Sequence, residues 1–303
     1  MKDQADKLRQ VIDKLKSRQI EYYDNRYRSL NKASTKVITV TSGKGGVGKT
    51  NITINLAISL SEMGYRVIIL DADFGLANID VLLGVSPQYT LVDVIRNKKN
   101  IIEVLTNGPN NIKFVSGGSG VEELVRLDRV QVERFINNIA LLDKIADIVI
   151  IDTGAGLSES VMSFVASADE VVLVTTPEPT SITDAYALVK MVSNRYKNKV
   201  IKVIVNRAES TKEANDILAK LSLVAEKFLS VNLIPIGYIL QDDTVIKAVK
   251  MQQPFTIVYP KSQASRYIRE ISRKLVEDDT WNTNREDSGV KGFINRLVNF
   301  MKT

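Results

Sequence analysis

The sequence predicts an α/β fold with a mainly parallel twisted sheet covered by helices on both faces. Three observations predict it. Short apolar runs alternate with helical patterns through the middle of the chain. Each run is continuously apolar rather than alternating, as strands covered on both faces must be. The first run also feeds a glycine-rich loop that opens a helix.

In chain order, residues 1–36 read as an appendage. Leu8, Val11, Ile12 and Leu15 fall at i, i+3, i+4 and i+7, the spacing of a short amphipathic helix. The polar stretch Tyr22 to Thr35 follows as a linker. Val37 to Thr41 is the first strand, and Asn51 to Met63 continues as a helix ended by Gly64, where glycine supplies left-handed geometry. Further strands are expected at Val67–Asp71, Ile112–Ser116, Ile148–Asp152, Glu170–Thr175 and Val200–Asn206, with a short last one at Pro235–Leu240. Helical patterns occupy Ser158–Ala168, Ile182–Arg195, Lys212–Phe228 and Ser262–Val276. The expected divisions are an appendage with linker at 1–36, the α/β domain at 37–276, a polar tether at 277–288 and an amphipathic helix at 289–303.

Composition narrows the chemistry. The 303 residues are 44% hydrophobic and 25% charged, an ordinary globular balance. No apolar run approaches the roughly 20 residues that span a bilayer, and the charged N-terminus has no secretory h-region. Cysteine and histidine are both absent. That excludes disulfides and thiolate-held iron–sulfur or metal sites within the chain, and imidazole as base, nucleophile or zinc ligand. Catalysis must rest on Lys, Asp, Glu, Ser, Thr, backbone amides or a bound metal, which favours Mg²⁺-assisted phosphoryl chemistry. The net charge of +6 suits an anionic membrane surface or nucleic acid, or is simply a solvated basic surface.

The strongest motif is Gly43-Lys44-Gly45-Gly46-Val47-Gly48-Lys49-Thr50, which fits G-x-x-x-x-G-K-[ST] between a strand and a helix. Glycines let consecutive N–H groups turn toward phosphates, and the helix adds its positive end. Lys49 is placed on the β- and γ-phosphates and Thr50 on Mg²⁺. Asp71, Asp73 and Asp152 lie at strand ends, the side where open parallel sheets bind ligands. The fold is therefore that of a P-loop NTPase.

At these residues the chain resembles the MinD/ParA family of deviant Walker A ATPases. The likeness rests on Lys44-Gly-Gly-Val-Gly-Lys49-Thr50, on Asp71-Ala-Asp73-Phe-Gly-Leu-Ala-Asn78-Ile-Asp80 and Asp152-Thr-Gly-Ala-Gly156 as two switches, and on Val205-Asn206-Arg207. It runs over about residues 36–275. The resemblance implies that Lys44 reaches the phosphates of a dimer partner, Asp73 orients the attacking water, and Asp152 holds the Mg²⁺ shell with Asp71 nearby. It places Asn206 and Arg207 at the adenine. Asn206-Arg-Ala-Glu209 also has a faint likeness to the guanine reader Asn-Lys-x-Asp, but its second and last residues differ, which favours ATP.

Asp3-Gln4-Ala5-Asp6-Lys7-Leu8-Arg9 resembles the D-Q-A-x-x-L-R motif of the FlhG group (also FleN or YlxH), MinD-like regulators of flagellar number and placement. That resemblance implies an ATP-dependent homodimer whose Asp3, Gln4, Leu8 and Arg9 segment activates an FlhF-type GTPase. Flagellar switch-complex proteins and a transcription regulator are further partners that it implies. A MinD-type division-site ATPase and a ParA-like DNA-binding ATPase are the alternatives. The N-terminal motif separates the first, and the C-terminal helix argues against nucleic acid.

In that last segment Val290, Phe293, Ile294, Leu297, Val298, Phe300 and Met301 gather on one side at 100° per residue, with Lys291, Arg296 and Lys302 on the remainder. A bulky apolar face with basic flanks fits an interfacial helix on an anionic membrane. The expected location is cytoplasmic, peripheral on the inner membrane. A helix packed on its own core or a dimer partner has the same pattern, and one helix can alternate between the two.

Overall fold

The computed structural model describes residues 34–73, 78–117, 128–196, 199–277 and 288–301. The N-terminal motif residues Asp3, Gln4, Leu8 and Arg9 and residues 278–287 of the expected tether at 277–288 lie outside them. The strands are β1 (Lys36–Thr41), β2 (Val67–Ala72), β3 (Thr106–Asn107), β4 (Lys113–Val115), β5 (Ile148–Thr153), β6 (Glu170–Thr175), β7 (Val200–Ala208) and β8 (Leu233–Leu240). They form one sheet in the order β3-β4-β2-β5-β1-β6-β7-β8, and among the described residues only the short β3 runs antiparallel, against β4. β1 lies between β5, with Val40 opposite Asp152, and β6, with Val40 opposite Val172.

Successive residues of the central strands feed opposite faces. Ile38, Val40 and Ile150 pack beneath α1 (Lys49–Glu62), while Val37, Val149 and Ile151 face the other layer. α1 is buried along most of its length, which explains its apolar run. α12 (Gln263–Glu277) covers the same face beside it. The opposite layer contains α5 (Arg129–Ile139), α6 (Leu142–Ile145), α7 (Glu159–Ser167), α8 (Pro179–Arg195), α9 (Thr211–Leu229) and the last helix, α13 (Gly289–Met301). Smaller helices are α2 (Asn78–Leu83), α3 (Leu91–Ile95), α4 (Ile101–Val104), α10 (Asp243–Lys250) and α11 (Phe255–Val258). No helix among the described residues is long and apolar enough to cross a membrane.

The expected strands and long helices are present with small shifts. β8 begins at Leu233, two residues before Pro235, and as the outermost strand it tolerates a residue without an N–H. At the foot of the sheet, Glu170 pairs with Lys36 at 2.7 Å and with Lys202 at 3.1 Å, all three almost fully buried. Isolated charges do not survive such burial, so the three side chains were selected together.

Candidate nucleotide site and the seat of the last helix

The loop between β1 and α1 is shaped by two different demands on glycine. Gly46 and Gly48 have φ of 79° and 89°, left-handed backbone that turns N–H groups inward. Gly43 is needed for space, because a Cβ there would lie 2.3 Å from the Asp184 carbonyl carbon. The loop opens on a cavity of about 370 Å³ that includes Gly45 to Thr50, Asp73 and Ala155 in its lining. A second cavity of about 440 Å³ adjoins it, walled by Ile239, Leu240, Val245, Ile246 and Phe255. The first suits a phosphate chain by its donors, the second a flat base by its apolar walls.

Lys49 is buried and donates to Asp152 Oδ1 at 2.9 Å, an atom that also accepts from Thr53 at 3.1 Å. The other oxygen, Asp152 Oδ2, is buried and has no hydrogen-bond partner among the described residues. Asp71 lies beside it in register with Asp152 across β2 and β5. Burial first, and then the Asp152 charge, push the Asp71 carboxyl up to about 7, against hydrogen bonds from the Asp73 and Ile79 N–H groups. Two close buried carboxylates, one with an open oxygen, fit a divalent cation shared with the Thr50 hydroxyl. Asp73 accepts from the Asn78 amide at 3.2 Å and borders the phosphate cavity.

Lys44 does not line that cavity. It donates to Glu178 at 2.7 Å and Thr180 at 3.0 Å, at the start of α8. Lys44 in turn holds the Glu178 carboxyl below its ordinary range. The sequence reading had no signal for this pairing, since the partners lie 134 and 136 residues away.

Asn206 and Arg207 lie just before the last residue of β7, where the structure differs from a plain strand. A register shift falls between Asn206 and Ala208, and Arg207 sits at φ 58°. The Asn206 amide donates to the Val47 carbonyl at 2.7 Å, so it holds the phosphate loop as well as bordering the base cavity. Arg207 lines both cavities. α10, which the sequence reading missed, supplies much of the base-cavity wall, and Asp242 caps it through the Thr244 N–H at 2.9 Å.

The last helix is seated on the protein's own core. Val290, Phe293, Ile294, Leu297 and Val298 are all buried. Phe293 stacks on Phe164 at 6.3 Å, and Phe300, half-buried, meets Tyr196 at 6.5 Å. The side chain of Met301 lies outside the described residues. Asp143, on α6, caps the helix from outside by accepting from the Val290 and Lys291 N–H groups at 2.7 and 3.1 Å. Arg296 pairs with Asp169 at 3.1 Å and donates to the Ser167 carbonyl at 2.8 Å. Of the two arrangements open to this amphipathic pattern, the structure shows the one docked on the core.

Comparison with known proteins agrees with this architecture. A family model described as ParA, NUBPL iron-transfer P-loop NTPase, matches residues 33–276. The chain itself has no cysteine with which to hold an iron–sulfur cluster. It is 42% identical to the antiactivator FleN of Pseudomonas aeruginosa, over 87% of this chain and 93% of that one. It is 33% identical to the flagellum site-determining protein YlxH of Helicobacter pylori, over 89% and 92%. Among solved structures, the septum site-determining protein MinD of Pyrococcus horikoshii, complexed with Mg-ADP, superimposes with a TM-score of 0.64 at 26% identity, covering 80% of this chain and 96% of that one.

Proposed function

The chain belongs to the MinD/ParA family of P-loop ATPases, and from that premise we propose that it is a nucleotide-driven switch regulating flagellar number and placement. The observation that carries the reading is that both P-loop lysines are held on carboxylates within the chain, Lys49 on Asp152 and Lys44 on Glu178. A bound phosphate chain is the stronger counter-charge for Lys49, and its arrival frees Asp152 for the metal. Thr50, Asp152 and Asp71 would hold Mg²⁺, which when bound neutralises charge on the phosphate oxygens. Asp73 orients the attacking water. Lys44, turned away from its own cavity, serves a second copy in an ATP-dependent homodimer.

The other outputs rest on the same switch. α13 exchanges its seat for the anionic cytoplasmic face of the inner membrane, so the protein is cytoplasmic and peripherally bound. The N-terminal segment with Asp3, Gln4, Leu8 and Arg9 stimulates an FlhF-type GTPase, Gln4 fixing the attacking water there. The names of FleN and YlxH support a flagellar role, with switch-complex proteins and a transcription regulator as further partners. The test is a peptide of residues 1–28 added to the cognate FlhF. It should accelerate GTP hydrolysis, and Gln4→Ala should lose that acceleration while still binding. Equal stimulation by both peptides would remove Gln4 from the reading.

A further inference from the structure

The seat of α13 is an apolar groove with a polar anchor toward each end. Phe135, Leu142 and Phe164 belong to its lining. At one end the Asp143 carboxylate caps the helix, and further along Asp169 takes Arg296. The chain enters β1 beside both anchors. The Thr35 hydroxyl donates to the Asp143 and Ala146 carbonyls at 3.3 and 2.8 Å, and the Val37 N–H donates to Asp169 Oδ2 at 2.9 Å. Residues 1–33 thus leave from the rim of the seat, and their sequence carries an amphipathic pattern of its own. Aligned with α13 without a gap, Leu8, Val11, Ile12 and Leu15 fall on Val290, Phe293, Ile294 and Leu297, all four buried. Lys14 falls on Arg296 and Arg9 on Lys291, so the cation that answers Asp169 is repeated as well.

We infer that the seat has a second occupant, residues 8–18 of the same chain, which take the place of α13 as a helix when α13 leaves, an inference that rests on the membrane exchange proposed above. Leu8 then lies toward Asp143, and Lys14 pairs with Asp169. Three observations select that occupant. Without α13 the groove is a contiguous apolar patch, which water disfavours. The segment is tethered at the rim, so its effective concentration at the groove is on the order of millimolar. Residues 16–34 reach about 60 Å when extended, against roughly 10 Å for the length of the pattern, so the link lets the segment lie in the direction of α13 and return to Thr35. The alignment also sets an order of preference. Val11 is smaller than Phe293, Lys16 stands at the place of the buried Val298, and Gln10 at that of the buried Gly292. α13 is therefore the better occupant, and it holds the seat in this structure. Leu8 and Arg9 belong to the motif proposed to stimulate a GTPase, so a seated segment is withheld from that partner while α13 lies in the membrane.

The test uses the full chain carrying Arg18→Cys with Tyr196→Cys, because Arg18 falls at the place of Phe300, whose ring meets Tyr196 at 6.5 Å. The parent has no cysteine, so a short thiol-reactive linker joins these two positions only when the N-terminal segment is seated. With ADP and no vesicles the linkage should be slow. Mg²⁺, a slowly hydrolysed ATP analogue and anionic vesicles together should speed it about tenfold or more, within one chain and independently of protein concentration. Leu297→Glu charges the buried face of α13 and should bring the same increase with ADP and no lipid. Val11→Asp should abolish both increases, and Lys14→Glu should reduce them. A second chain, Phe300→Cys with Tyr196→Cys, reports in the same conditions whether α13 has left. If the second chain loses its linkage and the first gains none, the seat empties without a new occupant, which overturns the inference and leaves the membrane exchange standing. If the second chain keeps its linkage with analogue and vesicles, the membrane exchange fails, and the Leu297→Glu arm decides the second occupant: linkage there supports it and none overturns it. Linkage found only between chains would give the seat to another copy and overturn it too.

Discussion

The nucleotide end of the sheet and the seat of α13 are built from opposite materials. Around the P-loop the buried groups are charges with provisional partners: Lys49 rests on Asp152, and Asp152 Oδ2 has none among the described residues. At the seat, five apolar side chains are buried, the helix N-terminus is capped by Asp143, and Arg296 is paired. The first region gains from a ligand. The second is complete without one. At about 2 kcal/mol for each buried side chain, undocking α13 into water would cost on the order of 10 kcal/mol. The helix therefore does not simply become exposed. It would leave only in exchange for another apolar surface, and a bilayer interface is one.

The largest expected effect tests the charged end. Lys49→Ala leaves a buried Asp152 without its cation, which should cost about 3–5 kcal/mol in denaturant unfolding and abolish ATP binding in titration. Pairing Lys49→Met with Asp152→Asn should recover most of the stability and none of the binding. Recovered binding would show that the pair is structural only. The matching change at the seat is Phe293→Ala, which removes a buried ring stacked on Phe164 and should cost about 3–5 kcal/mol. A loss below about 1 kcal/mol would mean the seat is loosely packed and the contrast overstated.

Asp73→Ala should leave nucleotide affinity near the parent value and slow hydrolysis about 100-fold, the range for a lost water-orienting group, as single-turnover assays would show. Unchanged hydrolysis would remove Asp73 from the chemistry. Asp143→Ala removes a cap supplied from another helix and should destabilise the chain by about 1 kcal/mol. It should also raise vesicle binding, if seat and membrane compete for the same helix.

The remaining effect is a pH dependence. Asp71 is raised from 3.8 to about 7 in the folded chain, so the native state holds its proton where the unfolded state has lost it. This contribution to stability is complete at low pH and falls as pH rises from about 4 to 7. Thermal unfolding across that range should show the decline, and Asp71→Asn should flatten it. Mg²⁺ with nucleotide should flatten it too, because a cation favours the carboxylate.

The two regions also differ in how far they could be read from sequence. The P-loop is local: eight consecutive residues, Gly43 to Thr50, carry its backbone demands and its lysine. The parallel strands were legible because burial on both faces makes them continuously apolar. The pattern in 289–303 showed that one face of the last helix must be covered, but not by what. Its partners Asp143, Phe164 and Asp169 come from distant segments and carry no mark in their own neighbourhoods. The same holds for Glu178, which holds Lys44. α10 was missed because its eight residues carry only a short apolar pattern between two stronger elements.

If nucleotide at one end of the sheet sets where α13 lies at the other, a covalent lock on the seat must block membrane binding. Because the chain has no cysteine, Tyr196→Cys with Phe300→Cys places two thiols where the rings now meet at 6.5 Å, and a short thiol-reactive linker can lock the helix to its seat. Flotation on anionic vesicles should then be measured with ATP and with ADP, locked and unlocked. The unlocked chain should float with ATP and not with ADP, and the locked chain should float with neither while binding ATP as before. A locked chain that floats with ATP as well as the unlocked one would contradict it.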